Sequence, residues 1–176
     1  MSGAIETPRI RLRPWREADR GPFASLLADA EVMRDLGGPV DRAAAAAKLD
    51  RYAAALVRTG VARLAVETRD GTFLGYAGVM PLPDGHPAGA RFDVGWRLKR
   101  DAWGRGYATE AARAALDDAF ARLAPSEIVA FTAVDNPRSQ AVMERLGMAR
   151  AAERDFTASY DRFGPWHGLV WVARRP

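Results

Sequence analysis

Hydrophobic and polar residues recur along this chain with two periods, which together predict a mixed α/β fold. Alternation with period 2, or a short continuous apolar run, indicates a strand, whereas apolar residues three and four apart indicate an amphipathic helix. The predicted strands cover 9–13, 62–68, 73–80, 92–98, 128–134, 149–155 and 169–173. The predicted helices cover 17–27, 43–57, 108–123 and 137–146. This order predicts a meander of strands in the centre of the chain, with helices before and after it.

Capping residues predict where two of the helices begin or end, and the spacing of apolar and small residues predicts which helix faces pack against the core. Asp41 is placed to cap the second helix and Gly60 to end it. Asn136 followed by Pro137 predicts the start of the last helix, because a capping side chain precedes a ring already set at helical φ. The residues expected to face the core are Leu49, Tyr52, Ala53 and Leu56 in the second helix, and Ala108, Ala112, Ala115, Ala119 and Leu123 in the third.

Two stretches predict exposed loops. Residues 81–89 contain three prolines and two glycines, and His86 is expected to face solvent there. The second stretch lies between the two closing strands and contains Phe156, Tyr160, Phe163 and Trp166. No repeat or linker divides the chain, so we expect one domain over 1–176.

Composition narrows the class of protein. The 176 residues are 48% hydrophobic and 27% charged, as in a soluble globular protein. No apolar run approaches the roughly 18 residues of a membrane helix, and the first residues lack the order of a signal peptide. We therefore expect a cytoplasmic protein.

The cysteine and histidine content of the chain argues against thiol catalysis and metal binding. With 0 Cys the chain has no thiol to act as a nucleophile or to bind a soft metal. His86 is expected in a solvent-exposed loop and His167 fits a structural role before the last strand, so we expect no metal site and no covalent enzyme intermediate. The net charge of +4 comes almost entirely from arginine, which suits a polyanionic small molecule. The basic residues are too dispersed to indicate a nucleic-acid surface.

The segment Trp103-Gly104-Arg105-Gly106-Tyr107 joins the strand 92–98 to the third helix. Two glycines allow a tight turn whose N–H groups are unobstructed, and the helix that follows adds its own unpaired N–H groups and the positive end of its dipole. Such a junction binds phosphate or pyrophosphate. The alternative is a plain strand-to-helix turn.

Three features in fixed order carry a family resemblance. They are this glycine turn, a buried strand ending in Asn136-Pro137-x-Ser139, and the segment 144–148, Glu-Arg-Leu-Gly-Met. Together they resemble the GNAT superfamily of acyl-CoA-dependent N-acetyltransferases, over about residues 7–173. The segments 12–19 and 103–111 are similar to the RimJ/RimL-like branch, which acetylates N-terminal alanine or serine of ribosomal proteins.

The resemblance implies a fold and a cofactor site. The GNAT fold is a single mixed, mostly antiparallel sheet, with helices on both faces and a central parallel strand pair that splays apart. Acetyl-CoA would lie in that gap, its pantetheine arm pairing with backbone groups like an added strand. The residues that match the family's cofactor contacts are Trp96, Arg97, Leu98, Trp103, Gly104, Arg105, Gly106, Tyr107, Ala108, Thr109, Asn136 and Ser139. Asp101 stands where the family usually has Gln or Arg, so we expect it to point away from the phosphates.

Direct transfer to an amine needs a proton acceptor, an oxyanion donor and a proton for the leaving thiolate. A backbone N–H near Leu98 fits the oxyanion donor. Asp93 shares a strand face with Arg97 and is our candidate base acting through water; the alternative is an Asp93–Arg97 surface pair. The family's usual tyrosine acid is replaced by Met143, so the resemblance points to Ser139, which could instead cap the helix or hydrogen-bond the sulfur. Tyr107 is a further donor or a packing residue.

The acceptor is not fixed by the sequence. An α-amine, with a pKa of about 8, costs roughly 3 kcal/mol less to deprotonate than a lysine amine, so a protein N-terminus is favoured over a small-molecule amine. The loop at Gly37-Gly38 and the stretch 156–166 should form the acceptor wall, where Asp35, Asp155 or Asp161 could hold a cation. The other function class is an acyl-CoA-binding module that has lost catalysis. A monomer and a homodimer both fit.

Overall fold

One nine-stranded sheet organises the part of the chain that this computed structural model describes, residues 3–160 and 164–175. Its strands are β1 (Ile5–Glu6), β2 (Ile10–Arg13), β3 (Arg63–Thr68), β4 (Phe73–Pro81), β5 (Phe92–Leu98), β6 (Glu127–Ala133), β7 (Ala149–Arg150), β8 (Phe156–Tyr160) and β9 (Gly164–Arg174). The helices are α1 (Arg20–Ala28), α2 (Arg42–Thr59), α3 (Tyr107–Leu123) and α4 (Pro137–Arg145). Short 3₁₀ turns cover Glu17–Asp19, Arg34–Leu36, Arg100–Ala102 and Ala152–Arg154.

The sheet follows the order β1-β2-β3-β4-β5-β6-β9-β7, and β8 pairs with the other end of β9. Its pairs are antiparallel except for β5 and β6, which run parallel. The β5–β6 ladder contains a single partner pair, Asp93 with Val129, so the two strands part beyond it. This is the splayed parallel pair that the resemblance implies, and the mixed, mostly antiparallel sheet is confirmed.

Helices cover both faces of the sheet. Alternate residues of β4 divide between them: Ala77 and Val79 pack in the cluster that contains α3, whereas Tyr76 packs in the cluster with α1 and α2. The α3 side of this core is built from small residues, including Ala111 and Ala115, which let the helix lie close to the strands. No helix within 3–160 or 164–175 is long and apolar enough to cross a membrane.

Local sequence signals place most element ends correctly. Asp41 caps α2 by accepting a hydrogen bond from the Ala44 N–H, and Gly60 ends the helix in the left-handed conformation. Asn136 caps α4 in the same way, with Pro137 in the first turn. The strand predicted over 92–98 has those bounds in the structure.

The aromatic stretch near the C-terminus and the loop at His86 differ from the predictions. Residues 156–160 and 164–174 form a β-hairpin rather than a loop, and the strand predicted over 149–155 is limited to 149–150. His86 is half-buried and stacks on Phe131 at 5.3 Å, because the loop 82–91 folds over the exposed side of β6. In α2 the buried residue is Ala55 rather than Ala53, since tertiary packing shifts the buried stripe. Phe163 and Asp161 lie outside the described residues.

Candidate functional site

The gap between β5 and β6 opens into a cavity of about 740 Å³. Its walls come from the end of β5, the glycine turn, the first turn of α3 and the start of α4. Eleven of the twelve cofactor positions predicted from the sequence line it: Trp96, Arg97, Leu98, Trp103, Gly104, Gly106, Tyr107, Ala108, Thr109, Asn136 and Ser139. Arg105 is the exception. It is exposed beside the cavity, and its carbonyl accepts a hydrogen bond from Arg9.

The glycine turn has the backbone conformation that a phosphate site needs. Gly104 and Gly106 have φ of 73° and 79°, which are left-handed values that favour glycine, and a Cβ at Gly104 would meet no atom within 4 Å. The N–H groups of the first turn of α3 follow directly and have no partners within the helix. Glu110 in this turn binds Arg9 and Thr7 instead of facing the cavity. The turn therefore presents backbone N–H groups without helical partners, and the negative charge of Glu110 beside them is neutralised by Arg9.

The backbone of β5 is free on its β6 side beyond Asp93, so its end can accept an extended arm as an added strand. The Leu98 carbonyl is already bound by the indole N–H of Trp103 at 2.9 Å, which fixes the Trp103 ring against the strand. Asp101, which departs from the family pattern, is exposed, lies 3.6 Å from Lys99 and does not line the cavity. These features fit the diphosphate and pantetheine arm of coenzyme A.

A second cavity of about 180 Å³ lies on the α1/α2 face of the sheet. Its lining includes Asp35, Leu36, Lys48, Tyr52, Arg63, Tyr76, Asp93, Phe131, Met143 and Trp166. Four residues line both cavities, namely Asp35, Trp96, Arg97 and Ser139. The two spaces therefore meet at these residues, as a cofactor site and an acceptor site must for direct transfer. We refer to them as the cofactor cavity and the acceptor cavity.

Asp35 connects the walls at this junction. Its carboxylate accepts hydrogen bonds from Arg97 at 2.8 Å and from the Asn136 amide at 3.1 Å, while its carbonyl accepts one from the Trp166 indole. Burial by itself raises the pKa of the Asp35 carboxyl, but the hydrogen bond and charge of Arg97 outweigh it, so this pKa lies below the ordinary value. Asp35 is thus a fixed anion at the junction.

Asn136 and Ser139 form one hydrogen-bonded unit. The Asn136 carbonyl oxygen accepts the Ser139 N–H, and the Asn136 amide donates to Ser139 Oγ at 3.2 Å. The capping role expected for Asn136 is therefore confirmed. Ser139 is half-buried and faces both cavities, a position that suits a group near the sulfur of the thioester.

Asp93 is buried at the acceptor cavity, but its partner differs from the expected one. Its carboxylate lies 2.5 Å from the Arg63 guanidinium, whereas Arg97 turns to Asp35. The Asp93–Arg97 surface pair is therefore wrong. One reason is that Gly95 has no side chain: a Cβ there would lie 2.7 Å from the Arg63 guanidinium, which reaches Asp93 and also donates to the Gly78 carbonyl.

Two buried tyrosines at the acceptor cavity were missed by sequence reasoning. Tyr52 and Tyr76 are 6% and 4% exposed, with ring centroids 5.5 Å apart. Tyr52 was assigned to the core stripe of α2, and Tyr76 was one apolar position of a strand. A partial signal was present in Gly95, since a glycine inside a strand can mark a site where another group approaches closely, here the Arg63 guanidinium.

The remaining candidates lie further from the junction. Met143 is buried and lines the acceptor cavity without a proton to give, whereas Tyr107 packs under the Arg9 guanidinium at 4.9 Å in the cofactor cavity. Asp155 forms an ion pair with Arg150 and lines neither cavity. No cluster of three or more metal-ligating side chains is found in residues 3–160 and 164–175.

Comparison with known proteins gives a consistent result. The acetyltransferase (GNAT) domain family matches residues 9–149. The chain is 32% identical to YkkB of Bacillus subtilis (strain 168) over 146 residues, which cover 82% of this chain and 84% of YkkB. An acetyltransferase structure from Agrobacterium tumefaciens str. C58 is similar at a TM-score of 0.83, with 27% identity and coverage of 99% and 96% of the two chains.

A ribosomal-protein enzyme shares the fold. RimL, a ribosomal L7/L12 α-N-protein acetyltransferase, superposes at a TM-score of 0.77 with 15% identity, covering 99% of this chain and 96% of RimL. At that identity the likeness concerns the fold alone. The family match, the splayed strand pair and the glycine turn agree with one another, and the chain belongs to the GNAT family of acetyl-CoA-dependent N-acetyltransferases.

Proposed function

We propose that this enzyme transfers the acetyl group of acetyl-CoA directly to a primary amine, with the α-amine of a protein N-terminus as the leading acceptor. The observation that carries the proposal is the meeting of the two cavities at Trp96, Arg97, Ser139 and Asp35. An amine in one cavity and a thioester in the other come together there without a covalent enzyme intermediate.

The groups that would hold acetyl-CoA belong to the chain itself. The N–H groups at Gly104–Thr109 would bind the diphosphate, and the free side of β5 would bind the pantetheine arm. A backbone N–H near Leu98 would stabilise the oxyanion, and Ser139 would hydrogen-bond the departing sulfur. The proposal includes no metal ion and no nucleic acid, and it treats 1–176 as one acetyltransferase domain working in the cytoplasm.

The acceptor cavity supports a small amine-bearing group. At about 180 Å³ it is smaller than the roughly 300–1,000 Å³ of sites for drug-sized ligands. It therefore suits one terminal residue of a peptide, with the rest of the peptide outside. An α-amine is also partly neutral near pH 8, which lowers the cost of deprotonation.

A small-molecule amine with an anionic group is the second candidate. Lys48 lines the acceptor cavity and makes no ion pair with any residue in 3–160 or 164–175. An acceptor that carries a carboxylate near its amine would supply the missing anion. A free amino acid fits that description, whereas a polyamine does not.

A product assay tests the proposal. The purified protein is incubated with acetyl-CoA and with peptides that differ in their first residue, free amino acids and polyamines, and acetylated products are identified by mass spectrometry. Acetylation of peptides with a free but not a blocked N-terminus supports the leading acceptor, and acetylation of amino acids alone supports the second. Binding of acetyl-CoA without acetylation of any amine would contradict the proposed function.

The cofactor site has a matched pair of control variants. Gly104 (φ 73°) and Gly71 (φ 90°) both have left-handed backbone, and a Cβ at either meets no atom within 4 Å. Replacement by Ala therefore costs each a similar strain of about 1 kcal/mol in stability. Only Gly104→Ala should weaken coenzyme A binding in calorimetry, because Gly71 lies in the β3–β4 hairpin. Equal affinities in the two variants would contradict a phosphate site at the glycine turn.

A further inference from the structure

Two phenol groups lie side by side at the acceptor cavity. Tyr52 comes from α2 and Tyr76 from β4, and both rings are almost completely buried while lining the cavity. Their ring centroids lie 5.5 Å apart. A phenol that receives a hydrogen bond from a neighbouring hydroxyl holds a negative charge on its oxygen more readily.

Positive charges surround this pair from three elements. Lys48 projects from α2, Arg63 from β3 and Arg97 from β5, and all three line the same cavity. The two carboxylates that face it, Asp35 and Asp93, are each bound to one of the arginines. Lys48 is left without a carboxylate partner in the described part of the chain, so the cavity carries a net positive charge.

Arg97 offers a donor beside Tyr76. The two residues are register partners on β4 and β5, so their side chains leave the sheet on the same face. The terminal nitrogens of Arg97 are bound by Asp35 and by the Val32 carbonyl, while its buried Nε makes no hydrogen bond within residues 3–160 and 164–175. A negative charge on Tyr76 would interact favourably with this N–H.

Burial and nearby charges shift the pKa values of the two phenols in opposite directions. Burial by itself raises the pKa of Tyr76, but the charges of Lys48, Arg97 and Arg63 and the interaction with Tyr52 outweigh it and lower this pKa to about 8. Burial, together with the charge of Tyr76, raises the pKa of Tyr52 well above its ordinary value. Of the two phenols, the surrounding charges therefore favour the anionic form of Tyr76.

We propose that Tyr76, as its phenolate, accepts the proton of the substrate ammonium group, with Tyr52 as the positioning residue that holds its oxygen; this inference rests on the proposed function. One proton passes from the ammonium nitrogen to the Tyr76 oxygen, directly or through one water. The freed nitrogen lone pair then forms the bond to the acetyl carbon, and the carbon–sulfur bond breaks. The second nitrogen proton goes to the departing thiolate, and Tyr76 returns its proton to solvent.

Tyr76 fits this role better than Asp93, the acceptor predicted from the sequence. The Asp93 carboxylate is held 2.5 Å from the Arg63 guanidinium, and protonating it would break that buried ion pair. Protonating the Tyr76 phenolate instead yields a neutral phenol beside Tyr52, which a buried site accommodates at lower cost. Asp93 then positions Arg63 as one of the charges around Tyr76.

Absorbance titration of the protein without substrates tests the ionisation. The chain contains four tyrosines, so tyrosinate absorbance is followed from about pH 6 to 11 in wild type, Tyr76→Phe and Tyr107→Phe. Wild type and Tyr107→Phe should show one tyrosine that ionises near pH 8, and Tyr76→Phe should lack it. Tyr52→Phe should move that ionisation to higher pH. Identical titrations of wild type and Tyr76→Phe, both folded by circular dichroism, would overturn the inference.

Kinetics test the catalytic step. With an accepted amine, Tyr76→Phe should lower kcat about 10²–10⁴-fold and remove the ionisation of Tyr76 from the pH profile of kcat, which does not include the ionisation of the free amine, while coenzyme A affinity stays at the wild-type level. Wild-type kcat and pH profile in Tyr76→Phe would refute the role of Tyr76. If Asp93→Asn instead removes the ionisation, Asp93 is the base and the inference is wrong. A wild-type enzyme that acetylates no amine contradicts the proposed function itself, a result distinguishable from activity retained in Tyr76→Phe.

Discussion

The ion pair between Arg63 and Asp93 allows a stability prediction from the geometry alone. Both side chains are about 10% exposed, and their charged groups lie 2.5 Å apart. Arg63 also donates hydrogen bonds to the carbonyls of Gly78 and Asp93, so it is held at three points. Asp93→Asn preserves the shape of the side chain but leaves the guanidinium without its counter-charge.

Removing one partner of a buried ion pair costs about 3–5 kcal/mol, because the remaining charge is left uncompensated. The acceptor cavity beside the pair admits water to Arg63, which places the expected loss at the lower end, about 3 kcal/mol. In a chain of 176 residues this corresponds to a fall in Tm of roughly 6–12 °C. The double variant Arg63→Met, Asp93→Asn removes both charges, so it should lose less, about 1–2 kcal/mol.

Urea unfolding followed by tryptophan fluorescence measures both effects, with the pair assessed as a double-mutant cycle. With each single variant losing about 3 kcal/mol and the double variant about 1–2 kcal/mol, the expected coupling free energy between the two positions is about 4–5 kcal/mol. Arg69→Met, which breaks a half-exposed pair with Glu6, serves as the control and should cost less than about 1 kcal/mol. A loss in Asp93→Asn no larger than that of the control would show that the pair is open to solvent and that our reasoning on the acceptor cavity is wrong.

Three other predictions follow from local geometry. Asp41→Ala removes the side-chain cap of α2 and should lower the free energy of unfolding by about 1 kcal/mol, whereas Asp41→Asn should stay near wild type in the same urea assay. Burial raises the pKa of the Asp19 carboxyl, but the hydrogen bond from Arg13 and the Arg16 N–H lower it below 3.8 overall. The ionised Asp19 carboxylate therefore stabilises the folded state fully above its unfolded-state pKa, and this stabilisation is lost as pH falls through the folded-state pKa. The free energy of unfolding, measured in urea between pH 2 and 6, should fall less steeply towards acid pH in Asp19→Asn than in wild type. Gly95→Ala places a Cβ 2.7 Å from the Arg63 guanidinium. This variant should raise the KM for the amine several-fold while coenzyme A affinity stays unchanged. An unchanged KM for the amine would show that Arg63 shifts without affecting the acceptor cavity.

The features that the sequence predicts well are those governed by neighbouring residues. The cap at Asn136, the stop at Gly60 and the strand over 92–98 each depend on the conformational preferences of a few consecutive positions. The glycine turn belongs to the same class, because positive φ at Gly104 and Gly106 is a local property. Most of the cofactor cavity is built from this continuous stretch and from α4, the segments that carry the family resemblance, and that resemblance allowed its lining to be named in advance.

The acceptor cavity could not be predicted in this way, because each of its polar contacts joins distant positions. Arg63 meets Asp93 across 30 residues, and Arg97 meets Asp35 across 62. Alternation along β5 places Asp93 and Arg97 on one face but does not decide which partner each takes. That choice depends on Gly95, whose missing side chain leaves room for the Arg63 guanidinium, and on the loop that brings Asp35 over the strand.

The contacts of Asp35 indicate that the acceptor and cofactor sites are built as one unit. Its carboxylate holds Arg97 on the strand that would bind the pantetheine arm and Asn136 at the start of α4, while its carbonyl holds Trp166 in the C-terminal hairpin. The segment that forms the acceptor wall is therefore fixed by the same residues that line the cofactor cavity. Because these bonds are partly buried, and those to the carboxylate are charge-assisted, a shift of one wall would leave polar groups of the others unpaired. Under the proposed function, the amine and the thioester would therefore meet at a junction whose geometry is set before either binds.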